Sequence, residues 1–314
     1  MRDDDRGHAG SRSKRYEPIT GVTMKVCLSC SELSDSDDWR CPHCGFSPPR
    51  HGRVVQLTAD LAQTDEGFSP DYFAEVFQLE TGNYWFRSRN RLLLWALRSY
   101  FPDASRLLEI GCGTGFVLSG FQLAFPDLQL FGSELLTEGL AFADQRLPGA
   151  TLLQMDARRI PYEMEFDVIG AFDVLEHVQE DELVLSEMFR ATRPGGGILV
   201  TVPQHQFLWS IVDEHAFHKR RYSRRDLVSK VERAGFHVLR RTSFVSLLLP
   251  LLLLSRRRRQ MTRANFNPLA EYNINETLNR GLERVLDLER FAIEKGVSFG
   301  AGGSLLLVAS RAPE

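Results

Sequence analysis

The sequence lacks a segment able to cross a bilayer. Its apolar-rich stretch from Phe244 to Leu254 runs for eleven residues and is interrupted by Pro250, whereas a spanning helix takes about 20. No signal peptide is visible in it: Met1-Arg2-Asp3-Asp4-Asp5-Arg6 is polar and no apolar core follows. A secretory signal is therefore not expected, and a cytoplasmic compartment is. Basic charge is not in excess, with 38 Lys and Arg against 41 Asp and Glu for a net charge of −3. That balance argues against a dedicated nucleic-acid binder. Cysteine is scarce, five in all, and four of them fall in two CxxC pairs, the usage of a metal site and not of a disulfide framework. What is present is ordinary for a soluble globular protein: 43% hydrophobic and 25% charged residues over 314 positions. That is enough chain for one large α/β domain and something small beside it.

Residues 1–23 are polar, charge-rich and aperiodic and read as a disordered tail. Residues 24–50 hold Cys27-x2-Cys30, ten intervening residues, and then Cys41-Pro42-His43-Cys44-Gly45. Two such hooks bring four thiolates to the corners of a tetrahedron, as zinc requires. The Ser- and Asp-rich chain between them is too polar to make its own core, so metal binding would supply the folding energy. A zinc ribbon is expected, with Cys27, Cys30, Cys41 and Cys44 as ligands of a closed, structural site. Its protein partner is not readable. Pro48-Pro49-Arg50-His51-Gly52 reads as the start of a linker-and-helix region, residues 51–104. Ser69-Pro70 makes a helix start. A second helical stretch from about Tyr84 to Tyr100 carries Trp85, Phe86, Leu93, Trp95 and Leu97. Two readings of it stay open, an amphipathic helix packed on the main domain or a lid over a bound ligand.

From Arg106 onward apolar runs at 106–111, 128–132, 151–155, 166–172, 197–202, 236–239 and 304–309 alternate with helical patterns or glycine turns. Such alternation means βαβ crossovers: an α/β, Rossmann-like, seven-stranded and mostly parallel sheet with helices on both faces, residues 105–314. About 60 residues separate the sixth run from the seventh, which places a helical insertion at about 245–300. The first run breaks into Glu109-Ile110-Gly111-Cys112-Gly113-Thr114-Gly115, a buried strand followed by a turn whose backbone must lie close to a ligand. Dinucleotide enzymes space these glycines as GxGxxG; here the third comes one residue early, and Phe116 stands in its place.

GxGxG behind an acid resembles motif I of the class I S-adenosylmethionine (SAM) methyltransferases, and Pro194-Gly195-Gly196-Gly197 resembles their "PGG" turn. The resemblance covers about residues 70–314 and implies SAM as cofactor. In a parallel sheet the ligand sits beyond the carboxyl ends of the strands. Glu109, Gly111, Cys112, Gly113 and Gly115 end the first strand, with Cys112 as a small residue facing the cofactor. Glu134 ends the second, where a carboxylate can accept both ribose hydroxyls. The resemblance gives Asp156 to the adenine amino group, the backbone of Ala157 to a ring nitrogen, and Asp173 to the fourth strand end. His177 follows that end as a candidate base. Asp173-x-x-Glu176-His177 also resembles quinone-pathway O-methyltransferases whose acid-x-x-Glu-His cluster can hold a divalent cation, and a purely structural histidine is the other reading. A second cluster, Asp213-Glu214-His215-Ala216-Phe217-His218-Lys219-Arg220-Arg221-Tyr222, resembles an acceptor-bordering loop of bacterial methyltransferases, with His218 a rival base and Arg221 a candidate for an anionic group.

Phe244–Leu254 followed by Arg256 to Arg259 fits either a peripheral contact of residues 244–259 with the inner membrane face or a buried helix with a solvated end. A helix from Asn275 to Lys295, with Leu278, Leu282, Val285 and Leu286 on one face, is expected to pack against it and cover the acceptor. The leading reading is methyl transfer to oxygen or carbon of a small-molecule or lipid-linked acceptor. An RNA methyltransferase is the alternative, but residues 25–52 are acidic where phosphate contacts need Lys and Arg, and no Asn-Pro-Pro-Tyr motif follows the fourth strand. A non-catalytic scaffold on the same fold is the third.

Overall fold

The computed structural model describes residues 24–36, 38–58, 70–260 and 274–313; the expected tail 1–23 and the Ser69 cap lie outside them. In chain order the elements begin with β1 (Lys25–Val26), β2 (Leu33–Ser34), β3 (Arg50–His51), β4 (Val54–Gln56), α1 (Pro70–Leu79) and α2 (Tyr84–Tyr100). Next come β5 (Arg106–Ile110), α3 (Phe116–Ala124), β6 (Gln129–Glu134), α4 (Thr137–Arg146), β7 (Thr151–Gln154), β8 (Phe166–Phe172), α5 (Asp181–Ala191) and β9 (Thr192–Pro203). The chain closes with α6 (Ile211–His215), α7 (Arg224–Arg233), β10 (His237–Phe244), α8 (Leu249–Gln260), α9 (Glu276–Glu294) and β11 (Ser304–Ser310).

The main sheet has the order β10-β11-β9-β8-β5-β6-β7-β4-β3. Strands from β9 across to β4 are parallel, and β11 inserts antiparallel between β9 and β10. A central parallel strand is covered on both faces, hence the unbroken apolar runs in the sequence. On one face Leu107, Leu130, Val168, Leu199 and Leu306 pack under α2, α3, α4 and α9. On the other, Leu108, Ile169, Ile198 and Leu307 pack under α5 and α7. Beneath β6 and β7 that second face is closed by the cysteine-bearing segment, whose Leu28 and Trp39 join the same core. The Trp39 ring stands edge-on to the buried Tyr162 at 5.8 Å.

Three features depart from the sequence reading. Arg50–His51 and Val54–Gln56, expected within a linker, form a hairpin that adds two strands beside β7. Strands of two and three residues are too short to show a period, yet Val54 and Val55 are buried. Leu278 at the start of α9 is exposed, while Leu282, Val285 and Leu286 face the core. Finally, α9 lies along α2 rather than α8: Glu283 accepts from Arg87 and Arg91, and Asn279 accepts from the Tyr84 amide at 2.8 Å. Its tie to the segment before α8 is Glu289, which accepts the amides of Ser246 and Leu247, each at 2.8 Å.

Candidate active site at the strand ends

The β5 turn follows from its glycines. Gly111 has φ +64°, and a Cβ there would stand 2.5 Å from a Val174 methyl carbon. Gly115 has φ +75° and a Cβ would meet Leu147 at 2.9 Å and the Ala143 backbone at 3.2 Å. Only glycine tolerates that backbone and that crowding together. The Cys112 amide donates to the Ser133 carbonyl at 2.8 Å, holding the turn against β6. From β6, Glu134 grips the turn: one carboxylate oxygen accepts from the Gly113 amide at 3.1 Å, the other from Leu135 at 2.8 Å and Leu136 at 3.3 Å. Burial raises the Glu134 pKa while these amides pull it down. Glu109 is buried, its Oε2 has no hydrogen-bond partner, and burial pushes it well above the usual carboxylate range. Asp156 is taken up by Arg158, whose amide and guanidinium both donate to it, the closest contact 2.8 Å. Ala157 follows, half-buried.

Cys112 differs from expectation. Its side chain lies in the core, its Sγ 3.0 Å from where a Cβ on Gly132 would be, and burial raises its thiol pKa well above normal. Over the turn lies α1: Phe73 is 4.0 Å from a Cβ placed on Gly113 and 2.9 Å from one on Gly139. Glu80 at the end of α1 is buried, accepts from Thr114 Oγ1 at 2.7 Å and pairs with Arg146 at 2.5 Å. From α2 comes Arg89, which pairs with Asp173 and lies over the Trp85 ring at 4.3 Å. Asp173 has φ +59°. Neither Glu80 nor Arg89 was legible, because each acts on a partner more than 30 residues away in sequence.

The two rival histidines converge. His177 after β8 and His218 after α6 stand with ring centroids 4.8 Å apart. Asp213 organises the group: His218 Nδ1 lies 2.9 Å from its Oδ1, Arg221 Nε donates to the same oxygen at 2.7 Å, and the Ser210 amide donates to Oδ2 at 2.9 Å. Burial opposes charge on Asp213, but the His218 hydrogen bond and Arg221 prevail and bring its pKa down to about 2. As a carboxylate it can only accept, so the proton shared with it sits on His218 Nδ1, which leaves the ring's other nitrogen, Nε2, outside this bond. That Nε2 lies 4.0 Å from Glu176 Oε1. Glu176 is fully buried, both of its oxygens lack a hydrogen-bond partner, and desolvation raises its pKa well above normal. Burial, then His218, lower the His177 pKa to about 3, so this ring is neutral. Glu176, His177 and His218 each present a ligand atom within 4.8 Å of the others. His215 stays apart, its Nδ1 on the Ile211 carbonyl at 2.9 Å. Arg221 is buried against Asp213 and the Gln204 carbonyl.

The four N-terminal cysteines also converge. Cys27 and Cys44 Sγ lie 3.6 Å apart and Cys30 and Cys41 3.7 Å, close to the edge of about 3.8 Å of a tetrahedron with metal–sulfur bonds of about 2.3 Å. Against the effect of burial, the amides of Cys30 and Ser29 point at the Cys27 sulfur and lower its pKa.

Residues 108–200 match the family model described as a methyltransferase domain. A probable SAM-dependent methyltransferase of Mycolicibacterium smegmatis is 28% identical over 159 residues, 50% of this chain and 60% of the relative. Trans-aconitate 2-methyltransferase of Variovorax paradoxus is 30% identical over 106 residues, 33% of this chain and 41% of the relative. The alignments thus span less than two thirds of either relative. Among solved structures, the cyclase SpnF superposes with a TM-score of 0.50 at 20% identity, covering 73% of this chain and 83% of its own, a likeness of fold. Residues 108–200 are thus similar to a methyltransferase domain.

Proposed function

We propose that the protein transfers a methyl group from SAM to oxygen or carbon of a small-molecule acceptor, with His218 as the base. The observation that carries this reading is the Asp213–His218 pair beside a carboxylate-rich, glycine-turned cleft on a methyltransferase fold. The strand ends suit SAM on their own chemistry: a tight turn that Gly111 and Gly115 alone allow, an unpartnered buried Glu109 oxygen, and acids at successive strand ends for a cationic nucleoside. Glu109 and the Gly111–Gly115 backbone would face its amino-acid end, Glu134 its ribose, and Asp156 and Ala157 its adenine. When bound, SAM supplies a sulfonium-activated methyl group. The chain's own work is alignment and proton removal. Asp213 fixes the His218 tautomer, Nε2 accepts the acceptor's proton, and the carboxylate stabilises the resulting imidazolium. Arg221 in turn keeps Asp213 charged and oriented. His177, neutral and half-buried, packs against the base ring. The four thiolates would hold a structural zinc ion.

A lipid-linked acceptor at the inner membrane face is the second reading. Leu247, Leu251 and Leu254 are exposed on and beside α8, directly before the arginine run, although no helix among the described residues is long and apolar enough to cross a membrane. Fold alone does not dictate methyl transfer, so the test must follow the methyl group. Incubation of methyl-labelled SAM with fractionated small metabolites, lipids and RNA should place label in the small-molecule fraction, and His218→Ala should remove it. Label in RNA alone, or in no fraction, would contradict the proposal; label in lipids would select the second reading.

A further inference from the structure

The proposed reaction leaves residues 24–58 without a task, yet their contacts converge on one half of the cleft. The hairpin end lies beside β7: the Leu57 amide donates to the Gln154 carbonyl at 2.8 Å and the Thr58 amide to Gln154 Oε1 at 3.2 Å. The fully buried Gln154 side chain donates in turn to Thr58 at 2.9 Å and to the Leu135 carbonyl at 3.1 Å. Leu135 is one of the residues whose amide holds Glu134. The cysteine-bearing segment grips the next loop along. The Val26 amide donates to the Pro161 carbonyl at 3.0 Å, the Glu163 amide to the Met24 carbonyl at 3.2 Å, and Arg159 to the Leu28 carbonyl. Between these two attachments lie Asp156, Ala157 and Arg158.

We propose that the ribbon and its hairpin form an internal clamp on the ribose- and adenine-facing loops, so that zinc occupancy sets the affinity for SAM. The inference rests on the reading of the cleft given above. Its physical basis is that the ribbon has only two-residue strands and a polar interior span, so the metal is what keeps it folded. An unfolded ribbon withdraws Trp39 and Leu28 from the core around Tyr162 and releases the carbonyl that Arg159 holds. The loop then gains freedom that the cofactor must remove on binding. The partner of the ribbon is the domain to which it is joined.

Calorimetric titration of SAM into the whole protein, zinc-loaded and after chelation, with hydrogen exchange on both forms, tests this. Chelation should raise the SAM Kd by about tenfold, a usual size for coupling between sites. Exchange should quicken over residues 24–44, 134–136 and 154–163 and stay unchanged over 213–222. The Trp39→Ala/Arg159→Ala double variant keeps all four thiolates and should retain zinc while weakening SAM binding in the same direction. Equal Kd values with fast exchange across 24–44 would overturn the clamp. Should chelation unfold the whole chain, an unaltered Kd in the zinc-loaded double variant would overturn it equally. If the zinc-loaded wild type binds no SAM, the reading of the cleft fails instead, and the exchange pattern alone judges the clamp.

Discussion

The two halves of the cleft are built by different means. On the β5–β7 side the pieces are mainly backbone: left-handed glycines, and a Glu134 carboxylate held by amides of its own loop and of the neighbouring turn. On the β8–β10 side the pieces are side chains. Asp213 draws together Ser210, His218 and Arg221, and through His218 reaches Glu176 and His177 more than 35 residues earlier. A half made of backbone conformation is written in residue spacing. A half made of side-chain contacts across the fold is not, although its residue types are visible.

Variants should separate the halves. His218→Ala should lower kcat by about 10²- to 10⁴-fold, the usual share of a general base, while calorimetry finds SAM affinity nearly unchanged; a matching loss of affinity would erase the division. Asp213→Asn should act less strongly, by about tenfold in kcat, with the pH–rate profile displaced because the imidazolium loses its counter-charge. A pH-profile identical to wild type would leave Asp213 a mere helix cap for α6. The smallest effect concerns stability. His177 is held at about 3 against an ordinary value of 6.5, so below pH 6.5 the unfolded chain binds more protons than the native one. Its contribution is therefore complete above that pH and declines as pH falls towards 3. Tm measured across this window should fall more steeply for wild type than for His177→Gln; parallel curves would refute the burial argument.

Much of the fold was legible because its central strands are buried and α2, α7 and α9 carry side-chain N-caps. The helix expected at Tyr84–Tyr100 occupies that range, with Asn83 accepting from the Trp85 amide at 2.9 Å. The seven apolar runs became β5 through β11. The hairpin at Arg50–Gln56 escaped because two prolines and Gly52 dominate the local signal while its partner strand lies about 100 residues away. In the site, Glu134 and the glycines stood where spacing put them. The inward turn of Cys112 was hidden, since a turn pattern says nothing about which face of the backbone a side chain takes. Arg89 was hidden too, as one arginine of several on an amphipathic helix whose pairing with Asp173 depends on how α2 crosses the sheet.

The central claim is that Glu134 and the glycine turn clasp a SAM molecule. Calorimetry of SAM with zinc-loaded wild type and with Glu134→Ala tests it most directly. Wild type should bind with one-to-one stoichiometry, and the variant about a hundredfold more weakly, the worth of two hydrogen bonds to a charged acceptor. Equal affinity in the two proteins, or no heat of binding in the wild type, would contradict the account.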